Sequence, residues 1–144
     1  MRICVVDDEP EIRSLFASCL RAIGFDVLES SSGYETAGLI NDSMAHGRID
    51  LVLSDYRMHH GDGGMVASLG ADRSIRYVIV TGFPAHDIQC YLPKDTLVLD
   101  KTAFSTRLFD SSPRLSVKAA VGGVALEQLL LCLFCETCDT KLYA

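Results

Sequence analysis

At 144 residues the chain is long enough to bury a real core and is expected to form one domain. With 22% charged and 49% hydrophobic residues, its composition is globular and excludes a disordered chain. A net charge of −6 with no basic stripe argues against a general nucleic-acid binder, because nothing is present to neutralise phosphates.

The first predicted strand covers residues 2–6 and runs directly into Asp7, Asp8 and Glu9. Nothing there resembles a signal peptide, and six cysteines without secretory context read as reduced thiols, so a cytoplasmic protein is expected. "EPEIRSLFASCLRAIG" follows, with Ile12, Leu15, Phe16, Cys19, Leu20 and Ile23 at helical spacing. Pro10 suits its first turn and Gly24 its stop. Further strands are predicted at 25–29, 50–54, 76–80 and 96–100. The third and fourth, "IDLVLSD" and "RYVIVTG", are nearly continuous apolar runs, as strands covered on both faces should be. Between them lie a weaker helix in "GYETAGLINDSMAHG", a short one in "GGMVASLGAD" and a shorter one in "PAHDIQCYL". "AFSTRLFDSS" reads as a fifth helix cut short before Pro113. Alternating strands and helices of this kind make a parallel α/β sheet.

Right-handed crossovers put every strand C-terminus on one edge of such a sheet, where ligands bind. Asp7 and Asp8 end the first strand, Asp55 the third, Thr81 the fourth and Lys101 the fifth. Two carboxylates about 4 Å apart repel by roughly 4 kcal/mol at an effective dielectric of 20, so something must offset their charge. A divalent cation would do so, and oxygen donors without Cys or His suit Mg²⁺. Each residue also has a plainer reading: Asp7 as a helix cap, Asp55 as a strand-end acid, Thr81 as a turn residue, Lys101 as a solvated charge. His59 and His60 read as an exposed loop rather than as ligands.

Four motifs in register, "VVDDE", "LVLSDYRMHHGDGG", "VIVTG" and "VLDK", resemble a response-regulator receiver domain of the two-component systems over residues 1 to about 111. The resemblance implies a flavodoxin-like doubly wound (βα)5 three-layer sandwich, its five-stranded parallel sheet in the order 2-1-3-4-5. It implies Asp55 as the acceptor of a phosphoryl group from a sensor histidine kinase or phosphotransfer protein. Mg²⁺ would be held by Asp8 and Asp55 directly, by Asp7 through water and by the Arg57 backbone carbonyl. Lys101 and the Thr81 hydroxyl would meet the phosphoryl oxygens, and output would follow through protein–protein contacts, so the chain is not expected to be an enzyme. The chain departs from the family in three places: His59 and Thr102 stand where prolines are usual, and Val98 replaces the aromatic switch residue. Receivers often hold their lysine by a cis peptide, which costs about 3–4 kcal/mol without proline, so a different seat for Lys101 is one expectation. Two rival readings stay open. One is a receiver-like interaction module that is never phosphorylated. The other is an aspartyl-phosphate hydrolase, which lacks its second acid because Arg57 stands there.

Residues 112–144 are expected to form a C-terminal helical extension to the receiver at 1–111, and no output domain fits in them. "RLSVKAAVGGVALEQLLLCLFC" is apolar on nearly every face. As a membrane span it would bury Lys118 and Glu127 at about 2.5–3.5 kcal/mol each. As a metal site, Cys132, Cys135 and Cys138 lack a fourth ligand. The favoured reading is a helix packed on the receiver or in a homodimer, with no membrane and no nucleic acid as partner.

Overall fold

The computed structural model of the chain describes residues 1–22, 24–42, 45, 47–94, 96–102, 120–121 and 124–125. Two compact units divide it, Met1–Lys101 and Thr102–Ala144.

In the first unit β1 (Arg2–Val6), α1 (Pro10–Ala22), β2 (Asp26–Ser30), α2 (Gly33–Asn41), β3 (Leu51–Ser54), α3 (Gly63–Ala71), β4 (Arg76–Thr81), α4 (Ala85–Ile88), a 3₁₀ turn (Gln89–Tyr91) and β5 (Leu97–Asp100) follow one another. The sheet is parallel throughout, in the order β2-β1-β3-β4-β5. This is the flavodoxin-like topology expected, with the observed strands within one residue of the predicted ones at each end. The second helix stops at Asn41, short of the predicted run.

Both faces of the sheet are buried. Cys4, Val6, Val52 and Ile79 join a core with Ile40, Val66, Ala67 and Ile88 from the helices. Their neighbours Ile3, Val5, Leu51, Leu53, Val78 and Val80, also buried, alternate onto the other face. Helix α1 turns Phe16, Ala17 and Leu20 inward and packs on β1 and β2. Ser32 caps α2 by accepting the Glu35 amide, while Glu35 reaches back to the Ser31 amide at 2.6 Å. Asp62 caps α3 by accepting the Met65 amide at 2.8 Å.

Of the second unit Thr102, Ala120–Val121 and Val124–Ala125 are described, and the last two segments pair as antiparallel strands. A helix was expected there. The sequence has Gly122 and Gly123 between the pairs, the composition that favours a hairpin over a helix. The remainder of the expected extension, the expected fifth helix, and Cys132, Cys135 and Cys138 lie outside the described residues.

Candidate functional site: an acidic crevice at the sheet edge

The crevice is built by strand geometry. Parallel pairing brings the residues after β1, β3 and β5 to one edge, and the Asp55 amide donates to the Val6 carbonyl at 2.9 Å. Asp7, Asp8 and Asp55 each present a carboxylate oxygen there, all within 4.8 Å of one another. Three hard oxygen donors at that spacing fit a hydrated divalent ion such as Mg²⁺.

Lys101 supplies the counter-charge. Its Nζ lies 2.8 Å from Asp7 Oδ2, 3.1 Å from Asp55 Oδ2 and 3.5 Å from Glu9 Oε1. It does so with no cis peptide bond among the described residues, although Thr102 replaces the usual proline. Burial would lower the ammonium's pKa, but the hydrogen bond to Asp7 and the charge of Asp55 outweigh it and hold it above the ordinary lysine range. Burial also pushes the Asp7 carboxyl up, with Lys101 and the Glu9 amide pulling against it. Asp7 Oδ1 accepts that amide at 2.9 Å, just ahead of α1, so its helix-starting role and its place in the crevice coexist.

Asp8 faces a different partner. Its Oδ2 accepts from the His59 amide at 3.1 Å and lies 2.5 Å from His59 Nδ1. Burial tends to raise the Asp8 carboxyl, yet the amide, the ring contact and the ring charge of His59 together bring it below the ordinary value. His59 is exposed, as its loop position suggested, but it is tied to the acidic cluster, which sequence reasoning missed. The signal was the pair His59-His60 four residues past Asp55.

The loop that carries His59 is anchored. His60 has a left-handed φ of 61°, and its carbonyl accepts from the Tyr34 amide at 3.2 Å. Gly63 must be glycine for close approach, since a Cβ there would come 2.5 Å from the Asp55 carbonyl oxygen. Asp55 Oδ1 accepts the Tyr56 amide at 2.7 Å. Thr81 is fully buried at the end of β4, its hydroxyl accepting from the Phe83 amide at 3.3 Å. The Arg57 guanidinium stacks 5.0 Å from the Phe83 ring centre, an exposed pairing that sequence reasoning also missed. Val98 packs against the core and offers no ring at the switch position.

A five-stranded parallel sheet of this order, with acids and a lysine at its carboxyl edge, defines a doubly wound α/β domain of the flavodoxin-like type. The family model of the response regulator receiver domain matches residues 3–90, and the chain belongs to that family of two-component signalling proteins. Among solved structures it is similar to a response regulator receiver protein from Sinorhizobium medicae, at 28% identity and TM-score 0.65 over 75% of this chain and 87% of that one. It is similar to the response regulator TrrA from Thermotoga maritima in complex with Mg²⁺ and a beryllium fluoride, at 25% identity and TM-score 0.57 over 73% and 90%. The Borrelia burgdorferi CheX–CheY complex, at 19% identity and TM-score 0.61 over 70% and 78%, shares the fold. Comparison with curated proteins found no match. No helix among the described residues is long and apolar enough to cross a membrane.

Proposed function

We propose that the chain is a cytoplasmic response regulator receiver that takes a phosphoryl group from a sensor histidine kinase or phosphotransfer protein onto Asp55. The observation that carries this reading is the Asp55 carboxylate at the end of β3, with Lys101 Nζ at 3.1 Å and Asp7 and Asp8 clustered beside it. Asp55 Oδ2 would attack the phosphorus of a phosphohistidine. The new O–P bond forms as the N–P bond breaks, and the leaving imidazole nitrogen takes up a proton. Lys101 would move its hydrogen bonds from carboxylate to phosphoryl oxygen. Thr81 would give up the Phe83 amide and donate to a second oxygen, drawing the β4–α4 loop inward. Asp8, Asp55 and the Arg57 carbonyl would hold Mg²⁺, with Asp7 through water; when bound, the ion offsets the charge that gathers as the phosphoryl group transfers. The receiver is a phosphoryl acceptor, not an enzyme in the usual sense, and acts on its target by docking.

Val98 favours the second reading, a module that binds partners without phosphorylation, because the family's rotating ring is absent. One experiment separates the two. The protein is incubated with acetyl phosphate and Mg²⁺, resolved by phosphate-affinity electrophoresis, and trapped with borohydride for peptide mapping. A shifted band in wild type, absent in Asp55→Asn, with the adduct on Asp55 alone, is the expected result. No shift at all selects the interaction module, and an adduct on Asp7, Asp8 or Asp62 overturns the assignment of Asp55.

A further inference from the structure

Between the buried Thr81 and the buried Ile88 the chain runs exposed from Gly82 to Asp87. Little holds this stretch in place. Pro84, at the start of α4, supplies no side-chain cap, and a Cβ on Gly82 would meet nothing within 4 Å. Among the described residues, two contacts of Phe83 tie the stretch to its surroundings. Its amide donates to the Thr81 hydroxyl at 3.3 Å, a long bond, and its ring lies under the Arg57 guanidinium at 5.0 Å. Arg57 is the firmer partner. Just ahead of it the Tyr56 amide donates to Asp55 Oδ1 at 2.7 Å, and the Tyr56 carbonyl accepts the Gly63 amide at 2.9 Å. The stack therefore bridges the loop that follows Asp55 and the loop that follows Thr81.

We infer that the Arg57–Phe83 stack is a conformational clasp, closed while Asp55 is unmodified and opened when Thr81 turns to a phosphoryl oxygen. The inference rests on the reading of Asp55 as a phosphoryl acceptor. When Thr81 gives up the Phe83 amide and draws its loop inward, Arg57 cannot follow, because the backbone beside it stays bonded to Asp55 and Gly63. The ring then leaves the guanidinium. Val98 offers no ring to move, so here the aromatic group that changes partner is Phe83. A ligand shifts a conformational equilibrium only through contacts that differ between the two states. An exposed cation–π contact made in one state alone biases that equilibrium about 2- to 5-fold. By linkage, whatever opens the clasp favours the phosphoryl group to the same degree. The clasp thus sets how readily the loop responds.

Arg57 side-chain protons above the ring face resonate upfield of their ordinary position, so they report the clasp directly. The full chain with Mg²⁺ is titrated with beryllium fluoride, a reversible tetrahedral stand-in for a phosphoryl group on a carboxylate, and followed by NMR. Amide shifts at residues 55–58 report occupancy of Asp55. The expected outcome has the Arg57 protons returning to their ordinary position in step with those amides. Phe83→Ala should tighten beryllium fluoride binding by about 2- to 5-fold, yet leave it unchanged in an Arg57→Gln background. Comparison within that background cancels the loss of positive charge near the anion, which weakens binding by itself. If the Arg57 protons are unshifted before titration, the stack does not form in solution and the inference is overturned. If the amides move while Arg57 keeps its upfield shift, or if Phe83→Ala acts equally in both backgrounds, there is no clasp, and Asp55 stands as the acceptor without it. If neither the amides nor the Arg57 protons move, the acceptor reading fails and the clasp with it.

Discussion

Between Asp7 and Asp55 the Lys101 ammonium lies 2.8 Å from one carboxylate and 3.1 Å from the other. The atoms it holds are ones that a divalent cation would also seek, so lysine and ion compete for them. Replacing Lys101 with Met removes the ammonium and leaves carboxylates uncompensated in a covered site. The expected loss is about 3 kcal/mol of stability in the absence of divalent cations, largely restored by Mg²⁺, which should bind several-fold more tightly than in wild type. Urea unfolding with and without Mg²⁺ checks this, and an equal Mg²⁺ effect on both proteins would refute the competition. The pH dependence carries opposite signs within the site. The Lys101 pKa is raised, so its contribution is present below the ordinary value of 10.5 and fades as pH climbs through the folded value. The Asp7 carboxyl is also raised, so its ionisation costs stability above its unfolded value. Asp7→Asn should therefore gain on wild type as pH rises from acid toward neutral, read as the shift in urea midpoint between the two.

Among the secondary elements, α3 and β4 meet where Gly70 faces Tyr77. A Cβ at position 70 would lie 1.5 Å from Tyr77 Cε2, an overlap with a ring that is buried and cannot swing aside. Gly70→Ala is expected to destabilise by at least about 1–3 kcal/mol, seen as a lowered melting temperature. Helix α2 depends on its start. The amide and hydroxyl of Ser31 hold the Glu35 carboxyl below its ordinary 4.5, so this cap is fully made above that value and is lost as pH falls through the depressed one. Glu35→Gln should flatten the acid side of the stability profile, measured by circular dichroism across pH. The strands and the first helix were legible because "ICVV", "LVLS" and "YVIV" are unbroken apolar runs and α1 has a clean helical period. The end of α2 was not, since "NDSMAHG" has no proline to stop it and Asp42 closes it by local backbone bonding.

For the molecule as a whole, the parallel sheet and the convergence of Asp7, Asp8, Asp55 and Lys101 at its carboxyl edge were readable from strand spacing and crossover handedness, while the order β2-β1-β3-β4-β5 was legible only through the resemblance to receivers. The His59 contact was not, because it depends on a left-handed His60 and on a loop bonded to α2, neither of which sequence spacing reveals. The antiparallel pairing of Ala120–Val121 with Val124–Ala125 was not legible, because an apolar run with few polar interruptions carries no period that separates strand from helix. One arrangement has a consequence in time. Asp7 and Asp55 come together once β1 pairs with β3, but Lys101 arrives only with β5, at the sheet's margin. The central strands must therefore associate against their own repulsion if β5 docks last. Interactions made after the rate-limiting crossing act on the unfolding rate alone. In stopped-flow chevrons Lys101→Met should steepen nothing on the refolding limb yet accelerate unfolding by roughly the full change in stability, about a factor of 100 for 3 kcal/mol. A slowed refolding limb would instead place the β5 margin inside the nucleus, and the lysine would be an early clasp and not the final one.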